Sequence, residues 1–171
     1  MCEKILLIDG HSILNRAFYG LPDLTNSEGL HTGAVYGFLN ILFKVLGEEK
    51  PEYLAVAFDR SETTFRHAKY PEYKGTRKPM PQELKEQMPL LKEMLEKMGI
   101  ATVSLAGFEA DDILGTLAKK GEEKGMDVII LSGDRDLLQL ATKKTFHLPL
   151  CQTSSIDTFF IPEKRYSHSF C

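Results

Sequence analysis

Three carboxylates fall within four residues in the segment GFEADDILG, residues 107–115: Glu109, Asp111 and Asp112, at the head of an apolar helical pattern. Such acids have two uses. In the first turn of a helix they accept hydrogen bonds from free N–H groups and complement the positive end of the dipole. Grouped in a pocket, they repel one another until a cation joins them. The motif alone favours capping. Four further acids change the balance, because each follows a short apolar run elsewhere in the chain: Asp9 in KILLIDG, Asp59 in YLAVAFD, and Asp134 with Asp136 in DVIILSGDRD.

The elements that must position these acids follow from the apolar runs. Residues 4–9 (KILLID), 53–59 (YLAVAFD), 100–105 (IATVSL) and 127–132 (DVIILS) are apolar at successive positions rather than alternating. That pattern suits strands buried on both faces of a parallel sheet. Helical spacing appears between them at residues 33–47, 81–98, 110–124 and 135–141, and Pro89 should kink or split the second of these helices. Strands alternating with helices give an α/β fold with a mainly parallel sheet and right-handed crossovers. Ligands of such sheets sit beyond the carboxyl ends of the strands, which is where all seven acids fall. Capping does not explain convergence from four strand ends.

An all-oxygen donor set, with His11 as the one nearby imidazole and no thiol, suits Mg²⁺ or Mn²⁺ rather than zinc. Carboxylate-held ions of this kind commonly handle phosphate oxygens, and a pair about 3.5–4 Å apart stabilises both the attacking and the leaving oxygen. Directly after Asp59, residues 60–78 carry six Lys/Arg (Arg60, Arg66, Lys69, Lys74, Arg77, Lys78) against Glu62 and Glu72. Such a local excess can neutralise phosphates despite a net charge of −3 over the chain. No Walker or GxGxxG pattern occurs, so neither a mononucleotide P-loop nor a dinucleotide cofactor is indicated. An acidic pocket beside a basic segment points to phosphodiester hydrolysis.

With 171 residues, 43% hydrophobic, the chain suits one globular domain with a real core. No apolar run reaches the length of a membrane span, and the start, MCEKILLIDG, reads as a buried strand rather than a signal peptide. Cys2, Cys151 and Cys171 are scattered and odd in number, so a reducing cytoplasm is the expected location. Residues 145–171 shift in composition, with four Phe, four Ser and no sustained period. A short strand at residues 145–150 followed by a poorly ordered tail is the expectation there.

The segments LLIDGHSILNRAFYGLP, AVAFDRSETTFRHAKYPEYKGTRKPMPQEL, GFEADDILGTLA and ILSGDRDLLQL, in this order, resemble the successive motifs of the 5′-nuclease domain of bacterial DNA polymerase I, in the flap-endonuclease superfamily. The resemblance runs from Lys4 to about Thr142. It implies a PIN-like 5′-nuclease fold and a Mg²⁺- or Mn²⁺-dependent 5′→3′ exonuclease or flap endonuclease, with two ions in the complete family site. The expected substrate is DNA with 5′ ends, nicks or flaps, and a full-length protein would carry a polymerase module. Asp9, Asp59, Glu109, Asp111, Asp112, Asp134 and Asp136 stand at the family's metal-site positions. Arg16, Arg66, Tyr73, Lys74 and Arg77 stand at positions near DNA, with Lys74 and Arg77 on the scissile phosphate and residues 62–81 as an arch. On this basis residues 1–144 form the catalytic core and residues 145–171 a divergent or truncated tail. The family's later acidic motif, of the Gly-Asp-Ser-Ser-Asp type, and its helix–hairpin–helix do not occur. Two other functions remain open at this point: a non-catalytic metal- and DNA-binding fragment, and a small-molecule phosphohydrolase built on Asp134 and Asp136.

Overall fold

A computed structural model describes residues 3–60, 64–70, 79–149, 151–152 and 159–160. Its centre is a five-stranded parallel sheet made from β1 (Lys4–Asp9), β2 (Tyr53–Ala57), β3 (Ala101–Val103), β4 (Asp127–Ser132) and β5 (Thr145–Pro149). The order β3-β2-β1-β4-β5 places β1 in the middle, with the chain first building outward on one side and then crossing to the other. The strand order therefore reverses around β1. Parallel sheets open a crevice at such a reversal, outside the carboxyl ends of the strands.

Both faces of the sheet are covered, which explains the unbroken apolar runs. Leu6, Ile8, Val56, Ile129, Leu131 and Leu148 pack on one face with Ile13, Leu14, Phe38, Leu42 and Leu91. These partners come from the helices α1 (Gly10–Gly20), α2 (Gly33–Glu49) and, after the short α3 (Phe65–Lys69), α4 (Gln82–Lys97). On the other face, Leu7, Val128 and Ile130 meet Ile113 and Leu114 of α5 (Ala110–Glu123) and Leu137 of a 3₁₀ turn, Arg135–Leu140. Helix α1 starts directly at the end of β1, with no connecting loop. Glycine makes this possible: a Cβ on Gly10 would lie 2.4 Å from the buried Phe58 ring.

Several sequence expectations are refined by the fold. Helix α1 was not anticipated, although its buried positions Gly10, Ile13, Leu14 and Ala17 have helical spacing. Strands β2 and β3 are shorter than the apolar runs that contain them. Helix α4 is continuous through Pro89 rather than split. Pro89 and Lys85, whose carbonyl loses its partner, are both exposed, so water can satisfy that group. The stretch opening at Thr145 forms the expected strand, but that strand is an integral member of the sheet. It pairs with β4 from Thr145 to Pro149 and buries Thr145, His147 and Leu148, so the core extends past residue 144. A two-residue antiparallel pairing, β6 (Cys151–Gln152) with β7 (Phe159–Phe160), follows.

Candidate active site

Asp9 sits where β1, α1 and β4 meet. It ends the strand, caps the helix through a Ser12 N–H bond to Oδ1 at 3.0 Å, and accepts the Ser132 hydroxyl on Oδ2 at 3.0 Å. Only 6% of the residue is exposed. Burial raises its pKa from 3.8 to about 6; the Ser12 and Ser132 hydrogen bonds oppose the rise, and the charges of Asp111 and Asp59 add to it. The same Ser132 Oγ accepts the Asp134 N–H at 3.0 Å, so one hydroxyl ties the ends of β1 and β4 together.

The other acids surround this point. Asp59, just past β2, accepts the first free N–H of α5, from Ala110, at 2.7 Å. Its own N–H donates to His11 Nδ1 at 3.1 Å, which requires that ring nitrogen to be unprotonated. Asp111 lies half-buried in the first turn of α5. Asp134 is exposed and caps the 3₁₀ turn by accepting the Asp136 N–H at 2.9 Å; Asp136 is exposed in that turn. Glu109 and Asp112 are engaged differently. Arg66, on α3, grips Asp112 with two parallel bonds of 2.7 and 2.8 Å and lies 3.4 Å from Glu109. Asp112 also accepts the Glu109 backbone N–H at 3.0 Å in a capping box. Bonds to helix-end N–H groups therefore account for Asp9, Asp59, Asp112 and Asp134 alike, and what capping leaves over is the convergence of these helix ends on one rim.

Asp9, Asp59, Asp111 and Asp134 thus stand at one rim, yet among the described residues no three His, Cys, Asp or Glu side chains are gathered closely enough to hold an ion jointly. Several of their oxygens are bound instead to N–H groups, a hydroxyl and the Arg66 fork. The donor set still fits a hard divalent cation. It offers carboxylate and hydroxyl oxygens, its single imidazole is occupied by a backbone N–H, and its most buried acid gains from a positive neighbour. Arg16 reaches the same rim from α1, with Nη1 3.5 Å from the Gly133 carbonyl. Tyr73, Lys74 and Arg77 lie outside the described residues.

Ser12 and Ser132 were not singled out from the sequence, and His11 was noted there only as the one nearby imidazole. Ser12 had a local signal, since it stands three residues after a capping Asp. Ser132 had none, because its partner is 123 residues away.

DNA polymerase I of Bacillus subtilis (strain 168) is 53% identical over 143 residues, covering 84% of this chain and 16% of that protein. The 5'-3' exonuclease of Aquifex aeolicus (strain VF5) is 44% identical over 141 residues, covering 82% of this chain and 49% of its own. The chain therefore spans a sixth to a half of the length of these curated relatives. Among solved structures, the 5'-exonuclease of phage T5 with bound zinc superposes with a TM-score of 0.66 at 21% identity, over 96% of this chain and 58% of that one. A T5 D15 flap endonuclease complex with DNA and metal ions gives 0.65 at 24% identity, over 86% and 55%. At these identities the likeness establishes a shared fold. The family described as the 5'-3' exonuclease N-terminal resolvase-like domain matches residues 4–165, further along than the motifs alone carried the resemblance, and this chain belongs to that family.

Proposed function

We propose that this chain is the catalytic module of a divalent-metal-dependent 5′→3′ exonuclease and 5′-flap endonuclease that hydrolyses phosphodiester bonds in DNA. The observation that carries the proposal is Asp9. It is a buried carboxylate at the reversal of strand order, raised to about 6, with the charges of Asp59 and Asp111 acting against its ionisation. Mg²⁺ or Mn²⁺, when bound, supplies charge stabilisation to phosphate oxygens. Asp9, Asp59, Asp111 and Asp134 would hold the ion, with Glu109, Asp112 and Asp136 around them. The remaining work belongs to the chain. The family resemblance assigns Arg16 and Arg66 to positions near the DNA, Lys74 and Arg77 to the reacting phosphate, and Tyr73 to the terminal base. A longer protein would place a polymerase module beside this one, as in the relatives named DNA polymerase I.

A labelled 5′-flap DNA incubated with Mn²⁺, beside p-nitrophenyl phosphate, tests the proposal. The expected result is cleavage of the flap, abolished by EDTA, with the small phosphate ester untouched. Hydrolysis of the small ester alone would indicate a phosphohydrolase, and DNA binding without cleavage a non-catalytic module. Lys74→Ala or Arg77→Ala should lower cleavage about 100- to 1,000-fold, as loss of a charge-stabilising group does. Their stability should change by less than about 0.5 kcal/mol.

A further inference from the structure

The hydrogen bonding of the β2 chain runs on past its pairing with β1, and the group that receives it is a side chain. Register between the two strands ends with Asp9 opposite Ala57. The Phe58 N–H turns to the other neighbour and bonds the Val103 carbonyl of β3 at 2.9 Å. Successive N–H groups along a strand point to opposite neighbours, so the Asp59 N–H turns back towards β1. There the chain has already become α1, whose early carbonyls bond within the helix. His11 supplies the missing acceptor: its Nδ1 takes the Asp59 N–H at 3.1 Å. One imidazole thus extends the ladder by one residue, to the acid just past the strand.

The imidazole is itself held in place. It meets the Phe58 ring edge-on, with ring centres 5.7 Å apart and planes at 75°. Phe58 is buried beside Gly10, which lacks the Cβ that would strike it, and Lys92 of α4 sets its Nζ 4.9 Å from the ring centre. The His11 main chain is tied as well, since its carbonyl accepts the Asn15 amide at 2.8 Å. On the far side of Asp59, the carboxylate takes the Ala110 N–H of α5 at 2.7 Å. The main chain and the carboxylate of Asp59 are therefore anchored to different elements, α1 and α5.

We infer that His11 is a positioning residue for Asp59, fixing its main chain so that the carboxylate can turn from a helix N–H to a cation without leaving the rim. The inference rests on the reading of Asp59 as an ion-holding acid proposed above. Side chains on strands and helices are placed more precisely than those on loops, and Asp59 lies just outside both kinds of element. The His11 bond gives it the placement of a strand residue. Nδ1 is spent on this bond, so His11 acts on the ion through Asp59 rather than through that nitrogen.

The test is a Mn²⁺ titration of the whole chain without DNA, with the free ion read by electron paramagnetic resonance. Wild type is compared with His11→Leu, which removes the acceptor, and with His11→Asn, whose amide oxygen can take the same N–H. His11→Leu should bind Mn²⁺ about 10- to 100-fold more weakly, the usual effect of removing a group that orients a metal ligand. The comparison is made at a temperature where circular dichroism shows all three folded, and His11→Asn should recover most of the loss. A second measurement needs no variant. In the isotope-labelled wild type, NMR coupling through the hydrogen bond should join the Asp59 amide nitrogen to His11 Nδ1, and should persist in saturating Mg²⁺. Unchanged Mn²⁺ affinity in His11→Leu, an equal loss in His11→Asn, or disappearance of the coupling in Mg²⁺ would overturn the positioning role and leave the nuclease function standing. Failure of wild type to bind either ion would overturn both.

Discussion

At the scale of single residues, Asp9 is where stability and function oppose each other. Its folded pKa of about 6 lies above the 3.8 of an unfolded carboxylate. Between those values the folded chain holds a proton that the unfolded chain has released. Stability from this group is therefore gained as pH falls from about 6 towards 3.8 and is lost as pH rises through that window. The shift corresponds to about 3 kcal/mol. Asp9→Asn should accordingly melt higher than wild type at pH 8 in EDTA, and the difference should vanish near pH 4. Millimolar Mn²⁺ should stabilise wild type, by about 2.7 kcal/mol at one hundred times its dissociation constant, and should leave Asp9→Asn nearly unmoved. Equal melting of the two proteins at both pH values would show that Asp9 carries no such strain. Arg66 is the counterpart. Its guanidinium partners Asp112 and the 6%-exposed Glu109. Arg66→Ala should destabilise by about 1–3 kcal/mol in urea titrations, because charged groups are left with fewer partners at low exposure. A change below about 0.5 kcal/mol would mean that the fork is solvated in practice.

At the scale of elements, the helices are joined by caps supplied from a distance. Thr32 makes no side-chain cap to α2, and Gly33, Ala34 and Val35 are buried. Gln87 of α4 takes that role: its Oε1 accepts the Ala34 N–H at 2.8 Å and the Val35 N–H at 3.3 Å, while its amide donates to Glu83. Gln87 is 1% exposed, so water cannot replace it. Gln87→Leu should cost about 2–3 kcal/mol through two orphaned N–H groups, read as a shift in the urea midpoint at unchanged slope. The two elements that flank residues 71–78 are thereby fixed at opposite ends. Helix α4 is pinned to α2 by Gln87. Helix α3 is pinned to the start of α5 by Arg66, by the Phe65 N–H on the Gly107 carbonyl at 3.1 Å, and by Phe65 against Phe108.

At the scale of the whole molecule, the position of the last sheet strand decides where the domain can be cut. Strand β5 is an edge strand in order but not in burial, since Leu148 is 2% and His147 1% exposed. Burying one Leu contributes about 1.5–3 kcal/mol, and the hydrogen-bonded register with β4 is lost with it. A chain ending at residue 144 should lose cooperative unfolding, whereas one ending at residue 152 should keep a single sharp transition by circular dichroism. Equal behaviour of the two would place β5 outside the core. Among the described residues, no helix is long and apolar enough to cross a membrane.

The fold class and the acids of the rim were legible because both are dictated locally. A strand covered on two faces must be apolar at every position, and the residue after such a strand is the first that can be charged. Asp9, Asp59 and Asp134 therefore announce themselves at the ends of their runs. The limits of that logic are equally physical. Helix α1 follows β1 without a loop, so no turn signal marked it, and β5, expected as a short strand, gave no sign of its place in the core because His147 interrupts its apolar residues. The distant partners of the acids were decided by which elements pack together. Placing β4 beside β1 joins Ser132 to Asp9 across 123 residues, and packing α4 on α2 joins Gln87 to Ala34 across 53. Sequence periodicity reports which face of an element is buried. It carries no information on which element lies opposite, and that choice made Asp112 a partner of Arg66, Gln87 a cap, and His11 the acceptor of the Asp59 N–H.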